Sequence, residues 1–247
     1  MNERIITFSA HAFVLSDKTL HPQPAKMHIP DWYKAVPNPQ YPSLEKTIKA
    51  CKPFLDSLTA GYIIKNTIDQ KINFNVPGPD GKLNTWVEIN KELEVLGDFI
   101  KNSVNFNKGD EYHDIFQIGT GCPYAQKNKG FGIYKILNAW SVHVPKDYAV
   151  LYMPLLNRPE DRFEILSGIV DGPNPLPTNF PCYFKKQGTW VLEKGEPIAA
   201  VFPFKKENWK MKVAEKTSFD HTETFFKYGS KLRKWYEDKL WKKIKWT

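Results

Sequence analysis

The sequence predicts a mainly β protein, a sandwich or barrel-like body preceded by an extended arm and followed by an amphipathic helix. Three observations carry this expectation. Between residues 133 and 204, short runs of β-branched and aromatic residues recur at near-regular spacing between turn residues, without the helical segments that βαβ units require. Upstream, two apolar runs flank Pro77-Gly78-Pro79-Asp80-Gly81, the pattern of a hairpin. Beyond residue 218 the apolar period lengthens to about four, which is helical.

Residues 1–42 form the arm. Arg4-Ile5-Ile6-Thr7-Phe8 and Ala12-Phe13-Val14-Leu15 read as short strands. Pro22, Pro24, Pro30, Pro37, Pro39 and Pro42 then forbid long helix and remove ladder donors, so this stretch is expected to wrap over the body as extended chain. It presents Trp32 and Tyr33 as candidate partner-binding aromatics.

Residues 43–218 form the body. Ser43 caps a short helix with Leu44, Ile48 and Cys51 on one face, and Pro53 ends it. Strands follow at Gly61-Tyr62-Ile63-Ile64, at 68–76 and at Trp86-Val87-Glu88-Ile89. Residues 91–130 are a long polar loop. The succession then runs through 133–140, 142–144, 149–153, 163–170, 180–184, 190–192 and 198–204. Trp209, Met211 and Val213 alternate with Lys210, Lys212 and Ala214, as in a half-buried strand with one wet face.

Residues 219–247 change period. Asp220 and Glu223 make a helix start signal, and Phe225, Leu232, Tyr236, Leu240 and Ile244 fall on one stripe, widened by Trp235, Trp241 and Trp246. This segment is also the basic part of the chain. Residues 227–247 hold eight Lys/Arg against two acids, so +6 of the net +8 resides there and the remaining body is nearly neutral. A nucleic-acid groove spreads positive potential over a folded surface, which is a different distribution.

Composition narrows the classes further. At 247 residues and 41% hydrophobic, the chain is one large domain or a domain with an appendage, and its core needs no disulfide or metal. Cys51, Cys122 and Cys182 are widely spaced and odd in number, which favours a reducing compartment. No apolar run approaches the ~20 residues of a transmembrane helix, and the first 15 residues lack a signal-peptide pattern. His11, His21, His28, His113, His143 and His221 show no paired ligand spacing, so no metal site is expected.

The informative blocks are Thr59-Ala60-Gly61-Tyr62-Ile63, then Pro154-Leu155-Leu156-Asn157-Arg158-Pro159, Ser167-Gly168-Ile169-Val170-Asp171-Gly172, and Gly195-Glu196-Pro197-Ile198-Ala199-Ala200. In order and spacing they resemble the core of the trimeric dUTPase and dCTP deaminase superfamily, with its A-G-Y-D-L, P-R-S-G, G-[IV]-[IV]-D and G-D-x-[IL]-A-Q motifs. Residues 29–34, 49–64, 157–172 and 179–204 also resemble an uncharacterised domain family carried by bacteria and tailed phages, including phages of marine cyanobacteria.

The superfamily resemblance implies a β-clip fold and homotrimers. It implies that Asp171 matches the carboxylate that orients the attacking water, working with a Mg-bound triphosphate, and that Asn157 and Arg158 sit at the phosphate turn. The companion groups differ. Ile63 stands where the first-motif acid belongs, residues 154–158 carry no hydroxyl, and Pro173-Asn174-Pro175 replaces the usual Asp-Tyr-Arg-Gly continuation. A Lys/Trp helix replaces the glycine-rich lid, and no buried deaminase glutamate is identifiable. The structural alternative for Asp171 is a carboxylate capping a turn, and for Arg158 an ion pair with Glu160 or Asp161.

The resulting expectation is a non-catalytic structural or interaction protein without cofactor, phage-associated, acting in a virion or in the host cytoplasm, and oligomerising through its terminal segments. Trp32, Tyr33, Leu232, Trp235, Tyr236, Leu240, Trp241 and Ile244 are the partner-binding candidates, facing other copies, phage or host proteins, or an acidic partner along the basic helix face. The competing class is a divergent dUTPase- or dCTP-deaminase-like nucleotide hydrolase using Mg, or a nucleotide-binding regulator. For the helix, the structural alternative is that its apolar stripe packs within its own chain.

Overall fold

The computed structural model describes residues 4–38, 47–78, 80–89, 112–127, 133–174, 176–215, 222, 236 and 240–247. The strands are β1 (Thr7–Ser9), β2 (Gln23–Pro24), β3 (Tyr62–Lys65), β4 (Gln70–Pro77), β5 (Leu83–Ile89), β6 (Tyr112–His113), β7 (Ile133–Ile136), β8 (Ser141–His143), β9 (Tyr148–Met153), β10 (Phe163–Ile165), β11 (Gly168–Asp171), β12 (Phe180–Phe184), β13 (Gly188–Leu192) and β14 (Pro197–Lys205). The helices are α1 (Ala12–Ser16), α2 (Asp31–Ala35), α3 (Lys52–Thr59), α4 (Ile115–Ile118) and α5 (Pro123–Lys127). The protein is mainly β, with several antiparallel sheets, none of them closed among the described residues. The chain divides into two compact units, one of Met1–Gln23 and Gly61–Lys205, the other of Pro24–Ala60 and Lys206–Thr247.

The first unit holds the sheets. One runs β11-β9-β14-β3, with Gln23 beyond β3. In it β14 is flanked on both sides, pairing Ala200 with Ile63 of β3 and with Met153 of β9. That explains its unbroken apolar run Ile198–Val201, buried throughout. A second sheet runs β13-β4-β5, and the predicted Pro77–Gly81 turn joins its hairpin, with Ile72 opposite Val87. The register slips between Asn73 and Val76, where Asn75 takes φ 52° and the Thr85 hydroxyl accepts its N–H at 3.1 Å. The other two sheets run β10-β12-β7-β6 and β1-β8.

Between the sheets, aromatic rings form a continuous chain. Phe163 stacks on Trp190 at 6.0 Å, Trp190 meets Phe184 edge-on at 5.6 Å, and Phe184 reaches Phe74 and Tyr134. At ~1.5–3 kcal/mol for each large buried side chain, this cluster supplies the principal driving force for the unit. One polar network crosses the core. Gln70 donates to Asn66 Oδ1 at 2.8 Å and accepts from the Tyr134 hydroxyl, while the Asn66 amide nitrogen reaches the carbonyls of Ile68, Leu192 and Glu193. It fixes the β3–β4 connection against the end of β13.

In the second unit, Tyr33 of α2 is 5% exposed and stacks on Phe54 of α3 at 5.8 Å, with Trp32 edge-on to both. Leu58 is fully buried.

Several expectations change. The arm is not extended chain: α1, α2 and the 3-10 turns Lys18–Leu20 and Ala25–His28 occupy it, because Pro24 and Pro30 sit just before helical turns, where proline's fixed φ and missing N–H cost nothing. Ala12–Leu15 is helical, with His11 as its cap. Pro53 opens α3 near its first position and does not close a helix; the expected helix shrinks to the 3-10 turn Ile48–Ala50, while Ser43 and Leu44 lie outside the described residues. The run 163–170 breaks into β10 and β11, and 133–140 stops as a strand at Ile136. Parts of 91–130 are ordered as β6, α4 and α5. Residues 206–215 form no strand, and Trp209, Met211 and Val213 are 89%, 87% and 85% exposed. Of the C-terminal helix, Leu232 and Trp235 lie outside the described residues, Tyr236 and Leu240 are helical, and 241–247 carries no regular structure, which takes Trp241 and Ile244 off the expected stripe.

Candidate functional site

The blocks singled out in the sequence converge on the β9–β14–β3 region, where packing accounts for two of their glycines. A side chain at Gly61 would lie 2.5 Å from the Val201 carbonyl, and one at Gly172 would lie 2.3 Å from Val144 Cγ2. Gly172 N–H also closes onto the Tyr148 carbonyl at 3.1 Å. Ile63, at the position of the first-motif acid, is fully buried in β3 and belongs to the core.

Asp171 ends β11, exposed, with Ala149 as its ladder partner. The Pro154–Pro159 turn leaves the other end of β9, after Met153. Four residue steps at ~3.3 Å each separate those points along β9, so Asp171 and the start of the Pro154–Pro159 turn lie at opposite ends of that strand. Asn157 supplies the turn itself: it is exposed and takes φ 53°, a conformation that asparagine tolerates well.

Arg158 faces a cavity of about 180 Å³ that it shares with Glu160, Glu164 and Lys185 over an apolar floor including Phe163 and Ile198. Burial pulls the Arg158 pKa below its ordinary value. The acids there are already engaged. Arg162 grips Glu160 through two nitrogens, at 2.6 and 3.0 Å, and also pairs with Glu196, while its guanidinium lies over the rings of Phe163 and Trp190. This pairing with two carboxylates holds the Arg162 pKa above its usual range against the opposing effect of burial. Of the two expected partners of Arg158, Glu160 and Asp161, the Glu160 carboxylate is gripped by Arg162. Glu164 accepts from the Tyr183 hydroxyl at 2.8 Å and lies 3.7 Å from Lys185. Burial, and then this carboxylate, push the Tyr183 phenol up to about 12.

The cavity lies below the ~300–1,000 Å³ of small-molecule sites. It suits a few waters or one small anionic group beside Arg158. Among the described residues, no three His, Cys, Asp or Glu side chains gather to hold a metal ion. Nor, among them, is any helix long and apolar enough to cross a membrane.

No known protein family and no curated protein matches the chain. Among solved structures, a mutant dUTPase of Staphylococcus bacteriophage 80alpha, determined with dUpNHpp, aligns with 35% of this chain and 67% of its own at 16% identity, with a TM-score of 0.25. At that score the likeness carries no argument about site or function.

The partner-binding candidates separate into two groups. Tyr33 is spent on packing within its unit, and Trp241 is engaged with α3. Trp32, Leu240 and Ile244 remain 46%, 58% and 63% exposed, and Tyr236 is half-buried. Among the described residues, Trp209, Met211 and Val213, which sequence periodicity assigns to the buried face of a strand, are strongly exposed. Arg162, which the sequence motifs do not single out, carries its signal only in the charge cluster Glu160-Asp161-Arg162.

Proposed function

We propose that this protein is a non-catalytic structural or interaction protein that assembles with its neighbours through the segment following β14 and the C-terminal end. One observation carries the reading. Residues 206–215 have the alternation of a half-buried strand, yet expose all three of its large apolar side chains. Three such side chains at ~1.5–3 kcal/mol each are a strong bias towards burial against a partner. The open antiparallel sheets are read as a β-clip body and the assembly as a homotrimer, on the strength of the motif order in the sequence. The phage setting, in virion or host cytoplasm, rests on the likeness to the phage-borne domain family.

Oxidative footprinting of the full chain tests this. Trp209 and Met211 are expected to become protected as protein concentration rises. Uniform oxidation of both at every concentration would show that the segment meets no partner.

A nucleotide-binding role is the second reading, supported by the half-buried Arg158 in its cavity next to Lys185. It predicts a nucleotide- and Mg-dependent rise in melting temperature that Arg158→Ala removes, with turnover lost in Asp171→Asn if the protein is a hydrolase.

A further inference from the structure

We infer that residues 240–247 rest on an anionic lipid surface, an inference that rests on the interaction reading and names the partner of one of its two segments. The net charge of the chain belongs to one unit. Pro24–Ala60 and Lys206–Thr247 hold seventeen Lys/Arg against nine Asp/Glu, the whole net +8, while Met1–Gln23 and Gly61–Lys205 balance at eighteen of each. A negatively charged surface therefore attracts this unit and is indifferent to the unit that holds the sheets.

Within that unit the charge is densest near its last residues. Residues 239–247 carry four lysines and no acid. Lys242, Lys243 and Lys245 are exposed, and so are the aliphatic side chains interleaved with them, Leu240 at 58% and Ile244 at 63%. Trp241, bonded to Asp56 and lying over Lys52, holds the segment to α3, so these side chains are presented from an anchored stretch of chain.

Two features select lipid over an acidic protein or a nucleic acid. Sixteen of the unit's seventeen cations are lysine. An ammonium is a hydrated point charge without the fork of a guanidinium, which suits a mobile layer of headgroup phosphates; fixed carboxylates and base edges are better matched by arginine. The aliphatic side chains are the second feature. Acyl chains accept leucine and isoleucine at a depth from which lysine stems reach back to the headgroups, whereas a phosphate backbone gives such side chains no apolar contact.

Flotation of the full chain with vesicles is the test, comparing phosphatidylcholine alone with its equimolar mixture with phosphatidylglycerol. Binding is expected on the anionic vesicles only, and is expected to fall as salt screens the lysines. A lysine near such a surface contributes roughly fivefold, so the triple variant Lys242→Gln, Lys243→Gln, Lys245→Gln is expected to bind roughly a hundredfold more weakly. Ile244→Ser is expected to weaken binding several-fold at every salt concentration. All four side chains are exposed, so the melting temperature is expected to hold. Should a variant misfold, lysine acetylation of the wild type decides the question: anionic vesicles are expected to protect Lys242, Lys243 and Lys245, and protection confined to Gly61–Lys205 overturns the assignment. Equal binding to both vesicle types overturns it too, as does release from vesicles by duplex DNA at equal phosphate concentration. A chain that assembles in light scattering but ignores anionic vesicles overturns this inference alone. One that binds the vesicles yet stays monomeric overturns self-assembly and leaves the lipid contact standing, and one that does neither overturns both.

Discussion

Trp241 donates its indole N–H to Asp56 at 2.8 Å, and the same ring lies 5.0 Å from Lys52 Nζ, so the end of the chain is clamped on the first and fifth residues of α3. These two α3 residues stand one helical turn apart on one face, which is why a single indole engages both. The contact answers, for Trp241, where the terminal apolar stripe goes: against its own unit.

Trp241→Phe keeps the ring and removes the donor. Loss of one partly exposed hydrogen bond to a carboxylate is expected to cost the second unit about 1 kcal/mol. Hydrogen exchange of the α3 amides should quicken several-fold while that of β9 and β14 stays unchanged.

The core network gives a larger effect. Tyr134→Phe removes one donor to Gln70 and is expected to cost about 1 kcal/mol, whereas Gln70→Leu removes the bonds to both the Tyr134 hydroxyl and the Asn66 side-chain carbonyl from a buried site and is expected to cost about 2 kcal/mol or more. Urea denaturation midpoints would rank the two.

Acid stability depends on Asp17. Its hydrogen bonds to Lys194, 2.6 Å away, and to Thr19 hold its pKa at about 2 against an ordinary value of 3.8. A carboxylate whose folded pKa lies below its unfolded one adds stability that is fully present above pH ~4 and is lost as the pH falls towards 2. Asp17→Asn is therefore expected to flatten the melting-temperature profile across that window and to leave the wild type ahead at pH 7.

Cys182 is fully buried on β12, and burial pushes its thiol well above the ordinary range, while Cys51 is exposed. Alkylation read by mass spectrometry should label Cys51 rapidly in the native protein and Cys182 only after denaturation.

What the sequence made legible follows from how local each signal is. The Pro77–Gly81 turn and the run Ile198–Val201 are fixed by neighbours in the chain, and both elements stand where expected. Ala12–Leu15 is too short for periods of two and 3.6 to be told apart, and it is helical. Pro53 stands at the start of α3 and not at the end of a helix, because proline fits the first helical turn, where its missing N–H costs nothing. The Arg162 pairing joins Glu160 to Glu196 across strands, and no spacing rule anticipates it. Trp209, Met211 and Val213 alternate with lysines as a strand would, yet among the described residues they join no ladder, because alternation fixes a strand only where a neighbouring strand supplies the pairing.

Light scattering over a concentration series of the intact protein therefore bears on the whole reading. A mass that rises from 28.7 kDa to a small whole-number multiple, with Trp209 fluorescence-quencher access falling in step, is the expected behaviour. A constant 28.7 kDa throughout the micromolar range, accompanied by Mg-dependent nucleotide turnover, would contradict it and assign Asp171 a catalytic role and Arg158 a phosphate-binding one.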